Sequence, residues 1–327
     1  MAGDRGARMR RNRPDPYSEQ GFTGESQGSL MKPASFDYHA PESLDDAVAL
    51  LVRCEADGVD AKILAGGQSL MPMLAMRVAR PEVLVDLRRI GGLDQITAED
   101  AGIVIGAMAS KSAAEDSALI RERLPLFHAA TRLVGHRQIR NRGSVGGSFA
   151  HADPASEYPA VALLLDAEFD AVGPAGPRRI AAADFFVTYM TTSLESTEVL
   201  TAVRLPFLAA GTGWSIQEFA RRNGDLALAG VAATLRLTAG TVTEARLVGF
   251  GVSGTPVRLA AAESHLRGRR AEAASFAEAA VVAAAGLDEP MSCVHASADY
   301  RRHLIKVYTE RCLVEAAGRV ARENPST

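Results

Sequence analysis

Residues 143–160 read GSVGGSFAHADPASEYPA, and this stretch is the most informative one in the sequence about the fold. Its first six positions hold three glycines and two serines, so the backbone there is almost bare. Paired glycines let consecutive backbone N–H groups turn toward one bound anion, because no Cβ atom blocks the approach and φ can become positive. We therefore expect a phosphate-binding loop at 143–148, followed by a helix.

A second stretch of the same kind, AGGQS, lies at residues 65–69. In chain order, 65–69 is called the first glycine loop and 143–148 the second glycine loop. A glycine pair alone most often marks an ordinary turn, but two such loops facing each other would suit a pyrophosphate and hence a dinucleotide. Neither loop matches G-x-G-x-x-G or G-x-x-x-x-G-K-[ST], so neither a Rossmann fingerprint nor a P-loop is expected.

The composition is that of a soluble globular protein with more than one core. The chain has 327 residues, of which 47% are hydrophobic and 23% are charged. Single domains usually span roughly 100 to 200 residues. No apolar run approaches the ~20 residues that a membrane-spanning helix needs, and no secretory signal is visible. We expect a cytoplasmic protein without a membrane span, and peripheral association with a membrane is left open.

Charge is distributed unevenly along the chain. The 36 basic and 39 acidic residues give a net charge of −3. Residues 1–13 carry five arginines and one aspartate, or +4, so the remainder sums to −7. A mildly acidic body is not typical of nucleic-acid-binding proteins. We expect residues 1–30 to be a disordered extension, and an arginine-rich tail that binds nucleic acid or anionic lipid is the alternative.

The three cysteines lie far apart in the sequence, at Cys54, Cys293 and Cys312. They form no C-x-x-C pair, which favours reduced thiols, and three thiolates cannot hold an iron–sulphur cluster in the usual way. The spacing of Cys293, His295 and His303 fits no zinc rule, so no metal site is predicted. No nucleophile, base and orienting acid form a recognisable motif, so no catalytic residue is predicted.

Helical and extended patterns alternate through the first two thirds of the chain. Ser43 can cap a helix at 44–56, in which apolar residues recur at helical spacing. AKIL at 61–64 predicts a strand that runs into the first glycine loop, and EVLVDL at 82–87 predicts the next strand. Further strands are expected at 102–107, 168–172 and 198–206, and helices at 111–120, 125–134 and 154–167.

The last third predicts a smaller unit. Residues 213–251 alternate apolar and polar side chains in three runs, broken by Asn-Gly at 223–224 and Ala-Gly at 239–240, which is the pattern of an antiparallel meander. Beyond Pro256 the pattern is entirely helical. We expect helices at 257–266, 273–285 and 297–317, and a domain boundary near residue 207.

Four segments together resemble a known family. They are MKPASFDYHAPESLDDAVALL (31–51), AGGQSLMPMLAMR (65–77), IRNRGSVGGSFAHADPASEYPA (139–160) and RRNGDLALAG (221–230). In this order and at these separations they resemble the FAD-binding medium subunit of the molybdenum hydroxylases, the carbon monoxide dehydrogenase and xanthine dehydrogenase family. The resemblance covers residues 31 to about 318.

The resemblance implies an α+β fold in two domains. Residues 31–207 would form a two-part FAD-binding domain of the PCMH or vanillyl-alcohol-oxidase type. Residues 208–318 would form the CO dehydrogenase flavoprotein C-terminal domain, a three-stranded antiparallel sheet with a helical bundle. Residues 319–327 would be a tail.

The resemblance also implies which residues contact FAD. Both glycine loops would hold the diphosphate, Glu157 would approach the adenosine ribose, Ala150 to Asp153 would lie along the flavin, and Leu226 would cap its ring. The implied FAD-binding residues are Ala65, Gly66, Gly67, Gln68, Ser69, Leu70, Ser144, Val145, Gly146, Gly147, Ser148, Ala150, His151, Asp153, Glu157, Leu200 and Leu226.

Two of these residues have an ordinary alternative. Glu157 would also suit an exposed carboxylate in the first turn of a helix, where the helix dipole favours negative charge. His151 is either a neighbour of the flavin ring edge or a loop histidine hydrogen-bonded to the backbone.

The resemblance implies an oxidoreductase subunit that transfers electrons. A small partner subunit would carry [2Fe-2S] clusters, a large one would carry the molybdenum cofactor, and FAD on this chain would pass electrons to NAD, a quinone or oxygen, in a dimer of heterotrimers. The substrate and the acceptor are left open. Two alternatives remain: a self-contained FAD-dependent oxidase of the same broad fold, and a non-enzymatic nucleotide-binding module.

Overall fold

The computed structural model describes residues 32–323 of the chain, so the extension predicted at 1–30 lies outside the described residues. The first part of the described chain combines small sheets with mostly short helices. Its elements are β1 (Asp37–His39), α1 (Leu44–Ala56), β2 (Ala61–Leu64), α2 (Leu70–Ala75), β3 (Val83–Asp86), β4 (Ile96–Ala98), β5 (Gly102–Gly106), α3 (Lys111–Asp116), α4 (Ala118–Arg123), α5 (Pro125–Leu133), α6 (Arg137–Arg140), α7 (Val145–His151), α8 (Glu157–Leu165), β6 (Glu168–Gly173), β7 (Gly176–Ala181), α9 (Ala182–Phe185), β8 (Phe186–Thr188), β9 (Thr191–Thr192) and β10 (Val199–Pro206).

A three-stranded parallel sheet of order β1-β3-β2 carries the first glycine loop at the end of β2. Helix α1 covers this sheet and is confirmed at 44–56, with the Ser43 hydroxyl accepting from the Asp46 amide at 3.1 Å. Its apolar stripe, including Val48 and Leu51, packs with Val85 of β3. The loop therefore starts from a strand that is held in place by a capped helix.

The chain between the first glycine loop and β3 is a helix that the sequence pattern missed. Helix α2 begins at Leu70, and Pro72 lies in its first turn. Proline is tolerated there because the first amides of a helix have no intrahelical acceptor. The predicted order of strand, glycine loop and strand is therefore corrected to strand, glycine loop, helix and strand.

A five-stranded antiparallel sheet of order β4-β5-β10-β6-β7 forms the base under the second glycine loop. A column of stacked aromatic rings lies between this sheet and helices α5, α7 and α8. Tyr158 stacks on Phe127 with ring centroids 4.6 Å apart and on Phe149 at 5.4 Å, and its hydroxyl is 2.9 Å from Thr131 Oγ1. These buried rings hold α7 in position against its neighbours. The second glycine loop includes the first turn of α7.

The helix predicted at 111–120 is two helices in the structure. Helix α3 ends at Asp116, and α4 begins at Ala118. Ser117 lies between them in an extended conformation, and its hydroxyl accepts from the Ile120 amide at 3.3 Å. A serine that caps a new helix thus divides an otherwise continuous helical pattern.

The remaining elements form the smaller unit. They are β11 (Thr212–Phe219), β12 (Ala229–Thr238), β13 (Thr241–Phe250), β14 (Val257–Arg258), α10 (Ala260–Leu266), α11 (Ala273–Ala285) and α12 (Ala298–Glu323). The sheet is antiparallel and has four strands in the order β11-β12-β13-β14.

The prediction of three strands, with only helices beyond Pro256, is wrong. Val257 pairs with Gly249 and Arg258 with Val248, so the last strand is two residues long. A pair of residues is too short to show the alternation that identifies a strand. Its position is stabilised by Arg258, whose guanidinium donates to both carboxylate oxygens of Glu263 at 2.9 Å.

Of the two turns predicted at 223–224 and 239–240, only the second is a two-residue hairpin turn. Ala239 and Gly240 have φ values of 49° and 73°, as a two-residue hairpin turn requires. Between β11 and β12 the chain instead follows a loop over 220–228, in which Gly224 has a φ of 82° but Asn223 is not left-handed. The Asn-Gly turn expected at 223–224 is therefore a longer loop, in which Gly224 supplies a positive φ and Asn223 does not.

Helix α12 continues to Glu323, past the predicted end at residue 317 and into the predicted tail at 319–327. Glycine at 318 costs about 1 kcal/mol in a helix. Tertiary contacts offset this cost, because Val320 is 4% exposed and the Arg319 guanidinium lies 3.5 Å over the Trp214 ring. Gly213 of β11 permits the contact: a Cβ atom there would lie 1.9 Å from the Ala316 carbonyl oxygen.

The two units share a hydrophobic core. Ile216, Ala232, Val248 and Phe250 of the four-stranded sheet belong to the same buried cluster as the aromatic column under the second glycine loop. None of the described helices combines the length and the apolar character that crossing a bilayer requires. The domain boundary near residue 207 stays a prediction.

Candidate functional site

The two glycine loops meet at one cavity of about 400 Å³, which we call the loop cavity. Its wall includes most of the residues that the sequence analysis singled out. These are Ala65, Gly66, Gly67, Gln68, Ser69, Leu70, Ser144, Gly146, Gly147, Ser148, Ala150, His151 and Leu200. Segments that are more than 70 residues apart in sequence therefore line the same space.

Two of the glycines allow the loops to approach closely. A Cβ atom at Gly66 would lie 2.2 Å from the Arg142 carbonyl oxygen and 2.7 Å from the Ser144 amide nitrogen. A Cβ atom at Gly146 would lie 2.3 Å from the Ala107 Cβ. A larger residue at Gly66 would push the first glycine loop away from the second. A larger residue at Gly146 would push the segment after β5, at Ala107, away from the second glycine loop.

The first glycine loop presents unused backbone donors to the loop cavity. Gly67 has a φ of 72°, in the left-handed region that glycine adopts freely. Within residues 32–323, the amides of Gly67, Gln68 and Ser69 meet no hydrogen-bond acceptor. Backbone amides are almost always paired in folded proteins, so three consecutive free ones beside a cavity match an anion-binding site. We call these three amides the amide cradle.

The second glycine loop is organised differently from the expectation. Most of its amides are already paired: Val145 donates to the Ala109 carbonyl at 2.8 Å, Gly146 to Ala107 at 2.9 Å, and Gly147 to the Ser144 hydroxyl at 3.1 Å. None of its glycines has a positive φ. The loop is therefore the capped start of α7, and it contributes small side chains to the cavity wall. The expectation that its amides would point freely at an anion is not met by those that are already paired.

Four residues implied by the resemblance do not line the loop cavity. Val145 is fully buried in the core below it. Asp153 accepts from the Ala155 amide at 2.9 Å and so closes a turn. Leu226 is 64% exposed, in the loop between β11 and β12, and Glu157 is buried behind the wall. Their contacts with FAD stay predictions.

His151 is the last residue of α7 and lines the loop cavity, so it is not a loop histidine. No hydrogen bond from its ring is found within the described part of the chain. Burial lowers its pKa, an effect that the charge of Lys111 strengthens and that of Asp153 opposes. A neutral imidazole at the cavity wall is the state that this environment favours.

The alternative that Glu157 is an exposed carboxylate is wrong, because the residue is only 5% exposed. Burial raises its pKa to about 7. Burial also raises the pKa of Glu218 to about 9, and the charge of Glu157 adds to the effect. The Oε2 atom of Glu218 is buried without a hydrogen-bond partner in the described structure. Buried Glu157 from α8 and half-buried Glu218 from β11 thus form an acidic pair between the two units.

Several cavity residues escaped the sequence analysis. Met108, Met190 and Leu194 join Leu200 in an apolar part of the wall, and Lys62, Lys111 and Glu198 add charge. Glu198 is fixed by Arg178, whose Nε donates to Oε1 at 2.5 Å, and this contact lowers the Glu198 pKa. Nothing in their local pattern marks these residues, because they come from separate strands, helices and loops.

The candidate metal residues do not form a site. Among residues 32–323, no group of three or more His, Cys, Asp or Glu side chains could hold a metal ion. The Cys293 sulphur accepts from Arg301 at 3.0 Å and from the His295 amide at 3.4 Å. Those hydrogen bonds, the one from His295 first, lower the Cys293 pKa.

The loop cavity suits a molecule with an anionic centre and aromatic ends. The amide cradle offers donors for a diphosphate, and glycine and serine around it leave room for close approach. The apolar part of the wall offers a surface for a flat ring. A dinucleotide such as FAD has these properties.

Comparison with known proteins agrees with this description. A family model described as FAD binding domain in molybdopterin dehydrogenase matches residues 34–208. A second, described as CO dehydrogenase flavoprotein C-terminal domain, matches residues 214–316. Together the two matches cover most of the described chain.

Individual relatives match over nearly their whole length. The carbon monoxide dehydrogenase medium chain of Hydrogenophaga pseudoflava is 40% identical over 89% of this chain and 100% of that protein. The 6-hydroxypseudooxynicotine dehydrogenase complex subunit alpha of Paenarthrobacter nicotinovorans is 41% identical over 88% of this chain and 97% of that protein.

Solved structures show the same fold. A chain of carbon monoxide dehydrogenase from Hydrogenophaga pseudoflava superposes with a TM-score of 0.84 at 39% identity, covering 88% of this chain and 99% of that one. A chain of quinoline 2-oxidoreductase from Pseudomonas putida 86 gives a TM-score of 0.84 at 36% identity, covering 89% and 99%.

Proposed function

Because the chain belongs to the family of FAD-binding medium subunits of molybdenum hydroxylases, we propose that it relays electrons from the [2Fe-2S] clusters of a partner subunit, through FAD, to an external acceptor. The chain is thus a flavoprotein subunit of an oxidoreductase. FAD, when bound, supplies the redox chemistry, and the residues of this chain bind and orient it.

The amide cradle is the observation that carries the proposal. Gly67, Gln68 and Ser69 would donate to the diphosphate, and the close contact of Gly66 with Ser144 keeps both loops at the cavity. Leu200 and the methionines of the wall would exclude water from a ring. The stacked rings under α7 would keep this arrangement rigid.

The partners are inferred from the relatives. Their names, such as medium chain and dehydrogenase complex subunit, describe one chain of a multi-subunit enzyme. We propose a large subunit with the molybdenum cofactor, a small subunit with the iron–sulphur clusters, and a dimer of such heterotrimers. The proposed location is the cytoplasm, which the free thiols of Cys54, Cys293 and Cys312 support.

The substrate is proposed to bind on the large subunit. Relatives with similar identity to this chain are named after carbon monoxide, 6-hydroxypseudooxynicotine and nicotine. Carbon monoxide and nicotine are chemically unrelated, yet the relatives named after them have similar medium chains. This supports a division of labour, in which this chain accepts electrons whatever was oxidised.

The proposal is tested by purifying the chain from its native cells under mild conditions. We expect visible flavin absorbance, molybdenum and iron in the same particle, and one larger and one smaller companion chain. A coloured chain that oxidises a substrate without molybdenum would support the self-contained oxidase. A colourless chain that binds nucleotides would support the nucleotide-binding module. Either result would contradict the electron relay.

A further inference from the structure

Lys111 is hydrogen-bonded through its backbone to the second glycine loop, although it lies in a different element. It is the first residue of α3, and its amide donates to the Gly143 carbonyl at 2.8 Å. A Cβ atom at Gly143 would lie 3.6 Å from Lys111 Cδ and 3.6 Å from Gln68 Cγ. The aliphatic part of Lys111 and the side chain of Gln68 therefore pack against the same glycine, beside the amide cradle.

The side chain of Lys111 lines the loop cavity but is only 8% exposed. In the described structure, its ammonium group makes neither a hydrogen bond nor an ion pair. Its nearest ring contact is Tyr158, with Nζ 5.5 Å from the ring centroid. A buried cation without a bonded partner is unfavourable, so the site gains from an anion that enters the cavity.

The neighbouring charges do not neutralise Lys111. The charge of Glu157 on α8 favours its ammonium form and that of Arg140 on α6 opposes it, while burial lowers the Lys111 pKa to about 8. Arg140 is itself paired with Glu115 on α3, at 2.8 Å. Burial raises the pKa of Glu157 to about 7 and that of its neighbour Glu218 on β11 to about 9, so near neutral pH Glu218 is largely protonated and Glu157 carries only part of a negative charge. His151 on α7 is favoured in the neutral state.

We propose that the ammonium group of Lys111 binds the diphosphate of FAD next to the amide cradle. This inference rests on the proposed binding of FAD and adds a side-chain cation to the backbone donors. The three free amides and the single buried ammonium would hold the diphosphate from two directions. Because a charged donor forms stronger hydrogen bonds to phosphate oxygens than a neutral one, Lys111 would supply much of the affinity.

The test uses the full chain freed of flavin, titrated with FAD and with riboflavin, which lacks the diphosphate. We expect Lys111→Met to weaken FAD binding about 10- to 100-fold, as loss of a hydrogen bond to a charged group does. Riboflavin binding should not change. Lys306→Met is the matched control, because Lys306 is exposed on α12, and it should bind both flavins as the natural chain does.

The pH dependence gives a second readout. Only protonated Lys111 can pair with the diphosphate, so FAD affinity of the natural chain should fall as pH rises through about 8, where Lys111 loses its proton. The decline approaches tenfold per pH unit above that value. The Lys111→Met chain should lack this decline, since Met cannot titrate.

Two results would overturn the inference. One is unchanged FAD affinity in the Lys111→Met chain, including the case in which only its unfolding temperature drops. The other is an equal loss of FAD and riboflavin affinity, which would place Lys111 at the ring. The proposed relay fails separately, if the natural chain binds FAD but no molybdenum or iron accompanies it.

Discussion

Four glycines of similar appearance serve different purposes at the residue scale. Gly67 supplies the left-handed backbone of the first glycine loop, whereas Gly66 and Gly146 permit contact between neighbouring segments. Gly147 lies close to Ala65 at the cavity wall, with 3.4 Å between the Ala65 Cβ and the position of an added Cβ. The sequence identified all four, but it could not assign these purposes, because each depends on which distant segment lies opposite.

The substitution Gly147→Val should abolish retention of FAD. The expected reason is steric, because an added Cβ would lie 2.6 Å from the Ser144 hydroxyl that caps α7 and would narrow the gap to Ala65. Flavin content of the purified chain measures the effect, and far-ultraviolet circular dichroism should show that the fold is kept. Gly91→Val is the matched control, since a Cβ there would meet no atom within 4 Å. If the Gly147→Val chain had normal flavin content, the assignment of Gly147 to the FAD site would be contradicted.

The half-buried acid Glu218 should make the free energy of unfolding depend on pH. Its pKa is raised to about 9 in the folded chain, so the folded state holds a proton that the unfolded state has lost above its ordinary pKa. Stability contributed by this group is therefore present at low pH and is lost as pH rises from about 5 to 9. Glu218→Gln should remove this loss and raise the free energy of unfolding by about 1 to 3 kcal/mol near pH 8.

Urea unfolding at several pH values measures this effect. The gain from Glu218→Gln should shrink toward pH 5, because the pH then approaches the ordinary pKa that this carboxyl has in the unfolded chain, and keeping its proton in the folded chain costs little. The exposed Glu272, at the start of α11, provides the control variant Glu272→Gln. A gain that is the same at every pH would show that Glu218 does not titrate as described.

At the scale of elements, local signals predicted the regular pieces well. The cap at Ser43 and the apolar stripe after it identified α1, and α11 was expected at its observed limits of 273–285. Helix α2, strand β14 and the end of α12 were missed. The last two depend on tertiary contacts. Strand β14, two residues long, is held by β13 and Glu263, and α12 continues past Gly318 because β11 packs against its last turns.

The last turns of α12 should contribute measurable stability through Arg319. Its guanidinium lies 3.5 Å over Trp214 and also pairs with Glu315 at 2.5 Å. We expect Arg319→Ala to lower the free energy of unfolding by about 1 to 2 kcal/mol. Trp214 is the single tryptophan of the chain, so its fluorescence reports the change directly. Lys306→Ala, on an exposed face of the same helix, should leave both stability and fluorescence unaltered.

At the scale of the whole molecule, the two predicted units are joined by one core. The sequence indicated a change of pattern near residue 207, but it could not show that Ile216 and Phe250 pack with the aromatic column of the first unit. It also could not place Lys111 in the cavity wall or bring Glu157 and Glu218 together, because these residues come from α3, α8 and β11. Burial of charge is a property of the assembled fold.

The shared core predicts cooperative unfolding. Scanning calorimetry of the full chain should show one transition, because Ile216, Ala232 and Phe250 cannot lose their neighbours in the first unit without opening its core. A fragment that ends at residue 207 should expose this surface and aggregate. Two separate transitions, the second matching an isolated fragment 208–327, would show that the units fold independently.

The structure of the chain with FAD bound tests the central claim most directly. The account predicts that the diphosphate lies in the loop cavity and accepts hydrogen bonds from the amides of Gly67, Gln68 and Ser69. A diphosphate bound elsewhere, with those three amides still unpaired, would contradict it.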